Sequence, residues 1–197
     1  MISLPLVYTI LALVAYTSSF WYLFIRLMSK RTPNLWCYGL LITLGLVLHG
    51  IVLYQDMMTP IGINYDVFNL MSFTSGLMLA LSLILSLIRP ILPLNLIGTP
   101  VAAFGLILGY AFSQPNQVIE QHSLGLDLHI ILSLSSYAVL LMATIHAVLL
   151  WFQDRELKKK QKRRIWVNLL PPFQVMESVL FDLIITGFAL LTAALLF

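Results

Sequence analysis

Residues 126–152 read LDLHIILSLSSYAVLLMATIHAVLLWF. One charge, Asp127, stands near the start, and the run exceeds the roughly 20 apolar residues that carry a helix across a bilayer. It nevertheless holds two histidines, a tyrosine and three serines. The stretch decides the fold class because the rest of the chain repeats its pattern. Apolar runs lie at about 3–25, 36–55, 67–88, 94–112, 128–152 and 174–197. Of the 197 residues, 60% are hydrophobic and 10% charged, where a soluble domain carries about 25% charged residues. The short alternating segments of a membrane barrel are missing. We therefore expect an all-α polytopic membrane bundle of about six transmembrane helices, with connections too short to hold a soluble domain.

Charge sets the orientation. All 11 lysines and arginines follow the first, third or fifth span. Basic loops stay cytoplasmic, so the N-terminus and the segments QDMMTPIGINYD and SQPNQVIEQHSLGLD are expected outside. A cleavable signal has the opposite charge order around its apolar run, so the first span reads as a retained helix. The basic run RELKKKQKRR reads as a topology-setting loop beside anionic lipid, not as a nucleic-acid site. Trp166 is expected at headgroup level, Pro171 and Pro172 before the sixth helix, and Glu177 near that helix's positive dipole end. Cys37 is the single cysteine, which excludes an internal disulfide. Its expected place is a helix contact.

Ionisable groups inside spans are costly and usually face the bundle interior. His49 lies about 9 Å from the outer end of the second span, and His129 about 3 Å from the outer end of the fifth. Stepping from His129 by helical spacing gives Ser133, Ser136, Tyr137, Leu140 and Thr144 as one stripe. Asn69, Ser72 and Gly76 share a face of the third span, again near the outer end. A neutral imidazole is a good iron ligand whose other nitrogen needs a hydrogen-bond partner. His49 and His129 are thus candidate axial ligands of a haem b, with Asn69 and Ser133 supporting them. The bland alternative is interhelical hydrogen bonding. His146 lies about 25 Å further along the fifth span than His129, too far to share one iron. It is expected to pair structurally with Asp182. His122 lies in an outer loop with Glu120 and Asp127, as a solvated residue or a further haem contact. Gly105 and Gly109 have the small-xxx-small spacing of tight helix packing. No phosphate-binding loop, CxxC, HExxH or serine-nucleophile context occurs, so an enzyme is not expected. A quinol-linked variant would require a quinone site, and the sequence identifies none.

The segments LHIILSLSSYA (128–138) and PPFQVMESVLF (171–181), with the LHG of the second span and Phe68–Asn69 of the third, resemble the YpjD-type inner-membrane proteins. These belong to the cytochrome c assembly superfamily, beside HemX-like and CcsA/CcmC haem-handling proteins. The resemblance covers nearly the whole chain. It implies one transmembrane domain over 1–197 in the bacterial inner (cytoplasmic) membrane, classed with cytochrome c biogenesis and able to bind haem. His49, His129, Glu177 and the proline pair match the family; His146 and Asp182 do not. The tryptophan-rich haem-delivery segment of the CcsA/CcmC proteins has no counterpart, since none of the four tryptophans lies in an outer loop. Relatives continue through two further helices, so the domain is expected to lack those last two. The expected function is a haem-binding accessory protein of cytochrome assembly that holds or transfers haem at the outer leaflet. Its partners would be haem, the lipid bilayer and other membrane proteins of cytochrome assembly. The alternative is a membrane scaffold or transporter-partner subunit with no cofactor.

Overall fold

The structure is a computed structural model that describes residues 4–60, 62–114, 118–119, 124–158 and 169–196. Six long helices carry the fold: α1 (Leu4–Met28), α2 (Leu35–Met57), α3 (Val67–Ile88), α4 (Asn95–Phe112), α5 (Leu124–Lys158) and α6 (Phe173–Ala194). All six are long and apolar enough to cross a membrane. Their starts follow local chemistry. The Asn34 side chain accepts from the backbone N–H groups of Trp36 and Cys37, and Asp66 accepts from that of Phe68. Each thereby satisfies donors that a first helical turn leaves without partners. Pro172 caps α6, where a missing N–H costs nothing.

Helices α1 to α4 close into a four-helix block in which α1 packs on α2 and α4, and α3 on α4 and α2. The hairpin of α5 and α6 docks on this block chiefly through α5 against α3. Helix α3 therefore serves two cores. Leu79 joins Tyr16, Ile42 and Leu106 inside the block, and Met78 joins Met142, Met176 and Val179 beside the hairpin. Small residues set the close contacts. A Cβ at Gly109 would sit 2.8 Å from Ser72 Cβ, and one at Gly105 would strike Ser75, so the spaced pair is what lets α4 lie against α3. Gly187 does the same for α6, and its carbonyl accepts from Ser136 Oγ at 2.8 Å.

Outward faces are apolar. Trp36 is 81% exposed and Leu87 77%, which suits lipid and would be untenable as a large patch in water. Cys37 is exposed at the start of α2 and is not buried in a helix contact as expected. Glu177 is exposed and lies just past the first turn of α6, beyond the strongest reach of the dipole.

The outer segments hold a feature that the sequence reading lacked. Strands β1 (Met58–Thr59), β2 (Gly62–Asn64) and β3 (Val118–Ile119) form a small antiparallel sheet in the order β1-β2-β3. Gly62 takes φ 155°, which residues with a side chain rarely adopt, and so allows the tight return between β1 and β2. The sheet ties the two outer segments together above α2 and α3.

Candidate functional site

His49 sits in the middle of the four-helix block and is 1% exposed. The Tyr16 hydroxyl of α1 lies 3.0 Å from its Nδ1, and Ser72 Oγ of α3 lies 2.9 Å from its Nε2. One hydroxyl accepts the ring N–H while the other donates to the ring lone pair, so both nitrogens are engaged. Two glycines make room for the rings. A Cβ at Gly45 would lie 2.6 Å from Tyr16 Cδ1, and one at Gly76 would lie 3.1 Å from His49 Cε1. The Tyr16 and His49 rings meet edge to face. The result is a polar tie across three helices, sealed from lipid. The expected stripe of Ser72 and Gly76 is part of it. Tyr16 was missed, because an aromatic in an apolar helix carries no distinguishing pattern; Gly45, one turn before His49, was the available signal. Asn69 is fully buried one turn further out, and neither its amide nitrogen nor its oxygen has a partner among the described residues. It does not support His49 in the expected way; Ser72 does.

His129 faces elsewhere. Its Nδ1 lies 2.8 Å from the Ala194 carbonyl at the end of α6. A carbonyl only accepts, so Nδ1 carries a proton, and the tautomer with its single proton there has its lone pair on Nε2. Successive residues turn by about 100° around a helix. His129 thus lies on the side of α5 opposite Asp127, Ile130, Ile131 and Leu134, which look across toward α2. The structure does not bring His49 and His129 together. They share the outer half but point to different neighbours, because depth along a helix says nothing of direction around it.

The stripe that followed His129 also divides. Ser136 is buried against α6, Ser133 is half-buried, and Tyr137 and Thr144 are exposed, Thr144 bonding back to Leu140. The expected His146–Asp182 pair is not formed. His146 is 2% exposed and donates from Nδ1 to the Met142 carbonyl one turn earlier, while its Nε2 has no partner among the described residues. Asp182 lies on an exposed face of α6, where Arg89 beyond the end of α3 reaches it at 3.2 Å. His122, Glu120 and Trp166 lie outside the described residues.

A cleft of about 390 Å³ opens in the outer half between α2, α3 and α5. Gly50, Leu53 and Met57 of α2, Phe73 of α3 and Ile130 of α5 line it, and Met58 of β1 and Ile63 of β2 close its top. Its polar end is Tyr65 Oη, which donates to Asp127 Oδ1 at 3.2 Å. Burial, reinforced by the neighbouring carboxylate, raises the phenol's pKa and keeps it a neutral donor. Neither His49 nor His129 lines this cleft.

The architecture defines a class: a polytopic helical membrane protein with a sealed histidine tie and an open outer cleft. The match over residues 4–197 identifies it further, and the chain belongs to the cytochrome c assembly protein family. It is 30% identical to the inner membrane protein YpjD of Escherichia coli K12 over 194 residues, which is 96% of this chain and 72% of that protein. The YpjD proteins of strains CFT073 and O157:H7 match to the same extent. No solved structure matches. Family membership supports a role in cytochrome c biogenesis, and six spanning helices with an inner-membrane homologue place the chain in the inner membrane.

Proposed function

We propose that this protein is a non-enzymatic membrane accessory of cytochrome c biogenesis that holds or transfers haem b at the outer end of the bundle, with His129 as its protein ligand. The observation that carries the reading is the bond of His129 Nδ1 to a backbone carbonyl. A metal-binding histidine commonly gives its other N–H to a backbone carbonyl, which orients the ring and leaves the second nitrogen free to ligate. Ala194 plays that part here. His49 does not fit as the second ligand. Both of its nitrogens are bonded, Gly76 lies flush against its ring, and it faces away from His129. A two-histidine site on one iron is therefore not part of the proposal.

The test is a visible spectrum of the detergent-purified protein, oxidised and dithionite-reduced, after expression with added haem. The expected result is a Soret band that is lost in His129→Ala and kept in His49→Gln. A colourless wild type would overturn haem holding. It would leave the second reading, a cofactor-free scaffold or transporter-partner subunit of the assembly machinery. The saturation of His49 by two hydroxyls favours that reading to the extent that it makes this histidine an interhelical tie.

A further inference from the structure

We propose that the outer cleft between α2, α3 and α5 is a binding site for an isoprenoid hydroquinone or quinone, with the ring inside and the tail in the bilayer. The argument does not depend on the haem reading.

The cleft's volume falls in the range of roughly 300–1,000 Å³ usual for small-molecule sites. Helix α5 packs chiefly on α3 and α6, and the cleft lies between it and α2. Tyr54 and Ile131, 67% and 53% exposed, flank that cleft on the lipid-facing surface. A molecule dissolved in the outer leaflet can therefore slide in without crossing water. The walls are apolar and partly aromatic, with Phe73 and Met57 suited to the face and edge of a ring.

Polarity is confined to one end. Tyr65 offers an O–H and Asp127 a carboxylate. A hydroquinone hydroxyl can donate to the carboxylate while a ring oxygen accepts from the phenol. Charge narrows the choice. Asp127 is the one ionisable carboxylate of the lining, and no lysine or arginine lies in any outer segment of the sequence. A ring bearing carboxylates, such as a porphyrin with its propionates, would meet the Asp127 carboxylate there, and no lysine or arginine of the lining to offset it. A neutral ring bearing hydroxyl or carbonyl groups meets what it needs.

The experiment is equilibrium binding of ubiquinone-1 and of its reduced form to the full chain in detergent, with decanol as a chain-only competitor. Three variants test the site. Gly50→Leu adds a side chain where a Cβ would meet nothing within 4 Å, so it fills the cleft without straining α2. Asp127→Leu removes the acceptor. Tyr65→Phe removes the donor and lies outside every helix, so it stays informative if either of the others fails to fold. Saturable binding of the reduced form that weakens at least tenfold in Gly50→Leu and Asp127→Leu, and several-fold in Tyr65→Phe, is expected. Absence of saturable binding would overturn the proposal, as would binding that the variants leave unchanged. Displacement by decanol on equal terms would overturn it too, since the cleft would then hold a lipid chain only.

Discussion

The histidine tie makes a sharp prediction for a single methyl group. In Gly45→Ala the new Cβ would stand 2.6 Å from Cδ1 and Cε1 of Tyr16, whereas ordinary contact begins near 3.4 Å. The ring must retreat from α2 by about 0.8 Å. The cleft between α1 and α4, about 380 Å³, gives it room. His49 is also on α2, so the retreat stretches the 3.0 Å bond from the Tyr16 hydroxyl to Nδ1 by up to about 0.8 Å, enough to weaken or break it. Overpacking costs about 1–3 kcal/mol, and a buried bond left unmade about 1–3 kcal/mol more. Replacing glycine by alanine inside a helix returns up to about 1 kcal/mol. The net loss is about 1–6 kcal/mol, which corresponds to a fall in melting temperature of about 2–24 °C for a chain of this length. The matched control is Gly50→Ala, five residues along the same helix, where nothing lies within 4 Å of the added Cβ. It should melt at or slightly above the wild-type temperature. Tryptophan fluorescence during thermal unfolding in detergent reads both variants. Equal melting temperatures for the two would refute the close approach of Tyr16 to α2.

The other predictions concern the remaining polar contacts. Ser72→Ala leaves His49 Nε2 without its 2.9 Å partner and should cost about 1–3 kcal/mol by the same unfolding assay. A double-mutant cycle on His146 and Asp182 should return a coupling below about 0.5 kcal/mol, because they share no contact. The cycle on Arg89 and Asp182 should return up to about 1 kcal/mol, since that pair is half-exposed; a larger value for the first pair would contradict the positions of both side chains. The burial of Tyr65, reinforced by Asp127, predicts an alkaline effect. The phenol's pKa is raised in the folded chain, so its stabilising contribution is complete below about pH 10 and is lost as pH climbs through the raised value. The melting temperature should fall above about pH 10 more steeply in wild type than in Tyr65→Phe.

The six spans were legible because crossing a bilayer is a one-dimensional requirement on length and apolarity. The largest boundary difference is at the fifth span, read as 128–152 and found as Leu124–Lys158. The helix continues past the hydrocarbon because its own ladder still satisfies its backbone there, and within that extension Gln153 Nε2 donates to the Pro171 carbonyl before α6. Packing glycines were legible where their spacing was regular, as at Gly105 and Gly109. The outer sheet was not, since strands of two or three residues leave no periodicity to read.

The candidate site was legible in part, and the reason is geometric. Counting residues from a span's end gives depth to within a turn, and His49 and His129 do share the outer half. Direction requires knowing which neighbour each face meets, and that depends on the order in which helices pack. A turn of about 100° per residue means that an assignment one position away changes the neighbour. Gly50 lines the cleft while His49, one residue earlier, faces Tyr16 and Ser72; Ile130 lines it while His129 faces the end of α6. At both positions the residue next to the histidine meets the shared space and the histidine does not. Two polar side chains at equal depth in a bundle therefore become a site only when their faces, and not their levels, converge. In this chain the polar groups that converge on the open outer cleft are Tyr65 and Asp127.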